Sequence, residues 1–215
     1  MTNLNQLIIK FDYDQNFKDD DFYVSNSNKH IFTWLSQWPK WEKNFLNING
    51  EKFSGKTHLI NIFIKKFKGI KFEANLLNDK DLKTIKIHEN IIVENLDEKI
   101  DEKLFYSLLN IIDLDNKFII VTSEKPIVDI NYSLTDLKSR TKNFLLQKIE
   151  KPDDELMFAL ILKNLSDRQI SIDKKLIDFI IKRIERSYDK IFDFIYKIDE
   201  LSLKKKKPID FKIIK

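Results

Sequence analysis

The stretch at residues 45–67, FLNINGEKFSGKTHLINIFIKKF, decides the fold. It carries the pattern G-x-x-x-x-G-K-T at residues 50–57, between a short apolar strand pattern and a helical one. The chain has only three glycines, and two of them stand in this pattern. The backbone N–H groups of such a loop, with the start of the next helix, form a nest for phosphate oxygens. The stretch therefore predicts a phosphate loop.

Each residue type in the phosphate loop (residues 50–57) has a chemical task. Lys56 is placed to neutralise the β- and γ-phosphates, and Thr57 to hold Mg²⁺ through its hydroxyl. Gly55 lets the backbone approach the ligand closely. The alternative is an ordinary glycine turn with an incidental Lys-Thr pair. The predicted nucleotide contacts are Gly50, Glu51, Lys52, Phe53, Ser54, Gly55, Lys56, Thr57 and His58.

Strand and helix patterns alternate around this loop, which favours a parallel sheet covered on both faces. A first helix is expected between an N-cap at Ser27 and Pro39. Strand patterns lie at 45–49, 69–73, 90–93, 117–123 and 143–149, and helical ones at 56–67, 101–113, 152–165, 173–184 and 187–203. We expect a leader at 1–20, an α/β core at 21–150 and a small helical subdomain at 151–215.

A second carboxylate should stand at the end of a neighbouring strand to hold the metal. In NIIVENLDE, at residues 90–98, Glu94 has that place, although an ordinary acidic turn would look the same. Many ATPases follow this residue with a second acid that serves the attacking water. Here Asn95 follows, and an amide cannot take a proton at neutral pH. The sequence therefore supports nucleotide binding better than hydrolysis.

The strand at 117–123, KFIIVTS, ends in two hydroxyl residues, Thr122 and Ser123. A polar group at this strand end could touch a γ-phosphate. The alternative is a side chain that caps the next turn. The pattern alone does not separate these two interpretations.

Composition excludes several classes of protein. With 42% apolar residues in 215, the chain is globular in composition. Its net charge of +4 is spread along the chain, and the lysines at 204–207 are interpreted as a solvated linker. No cysteine is present, which excludes a disulfide scaffold or a thiolate metal site. Neither a spanning helix nor a signal peptide is recognisable, so we expect a cytoplasmic protein.

Taken in order, these pieces resemble the AAA+ ATPases of the DnaA type, and most closely the Hda (HdaA) group of regulatory inactivators of the replication initiator. The resemblance covers nearly the whole chain. It is carried by DFYVSNSNKHIFTWLSQWPKW (21–41), GEKFSGKTHL (50–59), LFYSLLN (104–110), VTSEKP (121–126), LTDLKSRT (134–141) and ERSYDKIFDFIYKIDELSL (185–203). It implies a P-loop AAA+ core with a parallel five-stranded sheet flanked by helices, plus a C-terminal helical lid.

The resemblance also assigns roles to single residues. Arg140 matches the arginine finger, which acts on a nucleotide held by a neighbouring subunit. Phe22 and Val24 match residues beside the adenine, although core packing would also explain them. The lid position of the sensor 2 arginine falls on Asp189, which cannot pair with phosphate. Arg186 lies three residues earlier on the same helical face and is the candidate substitute.

The N-terminal QLIIKF resembles the sliding-clamp-binding peptide of these regulators. Gln6 offers a donor and an acceptor, and Leu7, Ile9 and Phe11 fall on one face of an extended segment. An edge strand of the domain itself is the alternative. Micromolar affinity is the natural expectation for a short segment that orders on binding.

With this resemblance, the sequence predicts a nucleotide-holding protein with ATP or ADP and Mg²⁺, and the resemblance implies a clamp-associated adaptor that promotes hydrolysis of ATP bound to the initiator DnaA. Its own hydrolysis is expected to be weak or absent, and its DNA contact to run through the clamp. The initiator's DNA-binding domain would need about a hundred further residues, so we do not expect origin recognition. The alternatives are an autonomous ATPase of the helicase-loader type and a scaffold without catalytic effect. The sequence leaves open the resident nucleotide and a homodimer.

Overall fold

The computed structural model describes residues 22–205 as a parallel sheet with helices on both faces, followed by three helices. The predicted leader, with Gln6, Leu7, Ile9 and Phe11, lies outside the described residues. The strands are β1 Phe45–Asn49, β2 Ile70–Glu73, β3 Asn90–Leu96, β4 Phe118–Ser123 and β5 Leu145–Lys148. The helices are α1 Lys29–Ser36, α2 Lys56–Phe67, α3 Asp79–Ile85, α4 Glu102–Leu114, α5 Thr135–Thr141, α6 Asp154–Asp167, α7 Lys174–Ile181 and α8 Tyr188–Lys205.

The strand order is β2-β3-β4-β1-β5, and every pairing is parallel. All five residues of β1 are buried, because the strand lies between β4 and β5 with helices on both faces. In a parallel sheet all strands end at one edge, and here the register pairs Asn49 with Ser123 and Glu73 with Glu94. The prediction of an α/β fold with a five-stranded parallel sheet is confirmed.

Alternate residues of each strand feed two separate cores. Leu46, Ile48, Ile92 and Ile120 pack with α1 and α2 on one face. The opposite face carries Ile91, Val93, Ile119 and Val121, which pack with α4 and α5. Successive side chains of a strand point to opposite faces of the sheet. The face of any side chain in β2 or β3 therefore follows from its position relative to these residues.

The C-terminal helices α6–α8 enclose an apolar core of their own. Asp153 and Asp173 cap α6 and α7 by accepting hydrogen bonds from backbone N–H groups. Two residues of this part, Leu156 and Tyr188, also pack into the core beneath α1 and α2. Within residues 22–205 no helix is both long enough and apolar enough to cross a bilayer.

Local predictions differ from the structure in a few places. The N-cap position of α1 is Asn28 rather than Ser27. The hydroxyl of Ser27 instead donates to Asp153 and accepts from its backbone N–H, which ties the start of α1 to the start of α6. The sequence patterns also missed α3 and α5, which have only seven residues each.

Candidate nucleotide-binding site

The loop between β1 and α2 folds back on itself around the side chain of Lys56. The buried ammonium donates hydrogen bonds to the carbonyl of Gly50 at 2.7 Å and of Glu51 at 2.8 Å. Gly55 precedes the helix with φ of 91°, a conformation that L side chains rarely adopt. The glycine at this position is therefore required by the turn into α2.

Three carboxylates surround Lys56. Burial lowers the pKa of its ammonium, and the charges of Glu124, Glu94 and Glu51 oppose that shift without cancelling it. Glu124 was not among the sequence-predicted residues. It directly follows β4, and a charged residue just after a predicted strand was the only signal that could have identified it.

Glu94 is buried at the end of β3, with 1% of its side chain exposed. Its nearest cationic partner among the described contacts is Lys71 of β2, whose Nζ lies 2.9 Å from Oε2. Apart from this ion pair, neither carboxylate oxygen of Glu94 has a hydrogen-bond partner among the described residues. A buried carboxylate with free acceptor capacity, beside a loop that ends in Thr57, fits Mg²⁺.

Asn95 turns the chain at the position where many ATPases have a second acid. Its φ is 59°, and the β3–β4 register shifts between Val93 and Leu96. Its backbone N–H donates to Thr122 Oγ1 at 3.0 Å, and its side-chain amide donates to Glu73 Oε2 at 2.9 Å. Thr122 is fully buried and engaged in this bond, so its contact with a γ-phosphate stays a prediction.

The phosphate loop is also joined to α8. Glu51 Oε2 accepts hydrogen bonds from the hydroxyl of Ser187 and the N–H of Tyr188, each at 3.0 Å, and so satisfies the first backbone N–H of that helix. Phe53, with φ of 63°, stacks on Phe192 with ring centroids 4.7 Å apart. Sequence reasoning placed both residues in the loop but did not foresee these partners.

Arg186 is exposed and forms an ion pair with Asp154 of α6 at 2.7 Å. Its described contact is therefore within the C-terminal helices, and a role at the phosphates stays a prediction.

The structure brings Phe22 to the loop but leaves Val24 exposed. The Phe22 ring packs edge-on against His58, and a Cβ added at Gly55 would lie 3.2 Å from it. Val24 is 40% exposed, and Lys52 is exposed as well. The position of Phe22 agrees with a residue next to a bound base, and its contact with adenine stays a prediction.

Arg140 lies at the end of α5, on the sheet face opposite α2. Its guanidinium pairs with Asp113 of α4 at 3.0 Å and lies 5.7 Å from the centre of the Tyr106 ring. The structure therefore places its described contacts away from the phosphate loop of the same chain. An arginine that acts on a neighbour is expected to lie outside its own site.

No protein-family model matches the chain. The DnaA initiators of Thermoanaerobacter sp. (strain X514) and Caldanaerobacter subterraneus are each 26% identical over 223 residues, which covers 91% of this chain and 50% of each relative. The crystal structure of domain III of the Thermotoga maritima replication initiation protein DnaA superposes with a TM-score of 0.74 at 16% identity, covering 92% of this chain and 93% of that one. The fold is that of the AAA+ P-loop proteins.

The AAA+ fold recurs in further structures. AMPPCP-bound DnaA from Aquifex aeolicus has a TM-score of 0.67 at 19% identity, over 87% of this chain and 65% of that one. The RuvB Holliday junction branch migration motor of Thermotoga maritima has a TM-score of 0.64 at 13% identity, over 89% and 67%. The chain spans about half the length of the curated relatives it matches. Together these similarities show that the chain has the fold of DnaA domain III, and they do not separate initiator from regulator.

Proposed function

We propose that the chain is a replication-related AAA+ protein that holds ATP or ADP in residues 50–57. The support is the fold, the buried Lys56 across the loop, and the AMPPCP bound by a DnaA of the same fold. Lys56 would neutralise phosphate charge, and Thr57 and Glu94 are the residues that would hold Mg²⁺, Glu94 through water. The metal supplies charge neutralisation at the phosphates.

The protein acts, in this proposal, as an adaptor that promotes hydrolysis of ATP held by the initiator. The observation that carries it is Asn95 in place of a second acid, with its amide already bonded to Glu73. A site with a phosphate grip and no carboxylate at this position suits retention of a nucleotide better than its turnover. The bound nucleotide then has a structural role.

Arg140 supplies the chemical contribution in trans. Water attacks the γ-phosphorus of the initiator's ATP, the bond to the ADP oxygen breaks, and negative charge accumulates on the transferred group. A guanidinium placed there stabilises that charge. Arg140 must leave Asp113 to reach it, and its exposed partner allows this because surface ion pairs are weak, at about 0–1 kcal/mol.

Docking on a DNA-loaded sliding clamp is assigned to the leader. Gln6 would fill a polar subsite, and Leu7, Ile9 and Phe11 an apolar groove. A pull-down on clamp with wild type and Gln6→Ala tests this step. Equal retention of both proteins would remove the clamp from the proposal.

The decisive experiment combines initiator loaded with labelled ATP, clamp on DNA and this protein, and follows conversion to ADP. Wild type is expected to accelerate conversion, and Arg140→Ala to lose the acceleration on the order of 10³-fold. Arg183→Ala is the matched control, since Arg183 is an exposed arginine just after α7. Full stimulation by Arg140→Ala would exclude the finger role and favour a scaffold.

An autonomous ATPase of the helicase-loader type is the second candidate. It is favoured by Glu73, whose carboxylate accepts a hydrogen bond from the Asn95 amide at 2.9 Å and could take the part of the missing acid. This candidate requires ATP turnover by the isolated protein that is abolished by Glu94→Gln and reduced by Glu73→Gln. Absence of turnover in the isolated wild type would exclude it.

A further inference from the structure

The ion pair between Lys71 and Glu94 is the feature of the site that no part of the proposed function uses. Glu94 is the carboxylate expected to face the metal, and it is 1% exposed. An ionised carboxylate at this depth is strongly disfavoured unless a positive charge compensates it. Among the described residues, Lys71 compensates it through a direct ion pair, and the ammonium of Lys56 adds a second positive charge that interacts with Glu94.

The position of Lys71 follows from the alternation of β2. Ile70 and Phe72 pack against the core beneath α4, so the intervening Lys71 points to the α2 side of the sheet. There its Nζ lies 2.9 Å from Glu94 Oε2 and 3.4 Å from Asn61 Oδ1 of α2. The side chain is 35% exposed, so the ammonium stays hydrated on one side while it faces the buried carboxylate.

This ammonium has two opposite effects on a bound nucleotide. Without metal, a bare Glu94 would repel the phosphates beside Lys56, and Lys71 cancels that repulsion. With metal, Lys71 competes for the same carboxylate and repels the divalent cation. Both effects reduce the difference in affinity between the metal-bound and metal-free conditions.

We propose that Lys71 is a built-in counter-cation of Glu94 that makes nucleotide binding by this chain largely independent of Mg²⁺. The inference rests on the proposed nucleotide binding and adds a residue that sets the metal requirement of the same site.

The test is a titration of the purified full chain with a fluorescent ADP analogue, in excess Mg²⁺ and in EDTA. Wild type is expected to bind in both conditions with affinities within about threefold of each other. Lys71→Met is expected to raise this ratio to about tenfold or more, mainly by weakening binding in EDTA. Lys71→Arg, which keeps the charge, should retain the wild-type ratio. Lys103→Met removes an exposed charge of α4 and serves as the matched control.

Three outcomes overturn the inference. A folded Lys71→Met protein with the wild-type ratio would show that the ammonium does not set the metal requirement. A wild type that binds only with Mg²⁺ would also contradict it, and leave nucleotide binding itself intact. A wild type that binds in neither condition would overturn the proposed function together with the inference.

A second variant keeps the test decisive if Lys71→Met does not fold. In the double variant Lys71→Met, Glu94→Gln no buried charge is left unpaired, and the source of repulsion is gone. It should bind the analogue in EDTA as wild type does. Weak binding in EDTA by this folded variant would mean that Lys71 acts on the phosphates directly rather than through Glu94.

Discussion

At the scale of the residue, Phe53 stands at a loop position whose backbone favours glycine. Its φ of 63° lies in the left-handed region, which costs a residue with a Cβ roughly 1–2 kcal/mol. The stack on Phe192 is a contribution that offsets this cost, since aromatic pairs add about 0.5–1.5 kcal/mol beyond area burial. Backbone strain and packing therefore oppose each other at one residue.

Two substitutions at this position separate the two effects. Phe53→Ala loses the stack and keeps the unfavourable φ, whereas Phe53→Gly loses the stack and relieves the backbone. We expect the glycine variant to be more stable than the alanine variant by about 1 kcal/mol. Chemical denaturation of the two purified variants measures the difference. Equal stability, or a more stable alanine variant, would show that the backbone is not strained there.

The motif spacing was enough to predict which residues form the loop, because the glycines, Lys56 and Thr57 are close in sequence. It could not predict that Lys71 forms an ion pair with Glu94, or that Glu73 accepts a hydrogen bond from Asn95. Those contacts depend on the pairing of β2 with β3, in which Glu73 lies opposite Glu94. Strand register is set by the packing of whole strands, and a single sequence does not state it.

At the scale of the element, Asn47 joins β1 to β4 and to the turn that follows. The side chain is fully buried. Its amide donates to the carbonyl of Val121 at 3.0 Å and to the hydroxyl of Ser123 at 2.9 Å, and its oxygen accepts from the N–H of Ile127 at 2.9 Å. Both the amide nitrogen and the oxygen of this buried polar side chain therefore have hydrogen-bond partners.

Asn47→Ala is expected to destabilise the protein by about 2–4 kcal/mol, because it leaves several buried polar groups without partners. Asn44→Ala is the matched control. That side chain bonds to Asn116 at the surface, and its loss should cost within about 0.5 kcal/mol. Urea unfolding of both variants gives the comparison, and similar losses would contradict the structural role of Asn47.

Helices and strands with a clear apolar pattern were predictable from the sequence, and short helices without one were not. The buried strand β4 begins as a continuous run of apolar and β-branched residues, and α4 has apolar residues at helical spacing. The short helices α3 and α5 hold too few apolar residues to show a period. The misplaced N-cap has a tertiary cause, since the Ser27 hydroxyl bonds to Asp153 of a distant segment.

At the scale of the whole molecule, the sheet and the C-terminal helices meet around Tyr188. Its N–H donates to Glu51, its hydroxyl donates to the carbonyl of Glu150 at 3.1 Å, and its ring is buried. Burial, followed by the charges of Asp153, Glu51 and Glu150, raises the pKa of the Tyr188 phenol. The ionised phenol is therefore incompatible with this junction.

A raised pKa means that the folded state keeps a proton that the unfolded state releases near pH 10. The stabilisation is fully present below that pH and is lost as pH rises towards the folded pKa. Tyr188→Phe removes this linkage, so its unfolding free energy should fall less steeply above pH 10, by up to about 1.4 kcal/mol per pH unit. Tyr196→Phe, which removes the same hydroxyl at a residue that is 53% exposed, is the control. Equal slopes for wild type and Tyr188→Phe would contradict this assignment.

The Phe53–Phe192 stack also has a consequence for the evolutionary history of the chain. One ring belongs to the phosphate loop and the other to the last helix, so a mutation that shrinks either ring exposes its partner. Drift at the two positions should therefore be correlated, with glycine in the loop expected wherever the ring on α8 has been lost. A genetic screen for suppressors of Phe192→Ala should recover glycine at position 53.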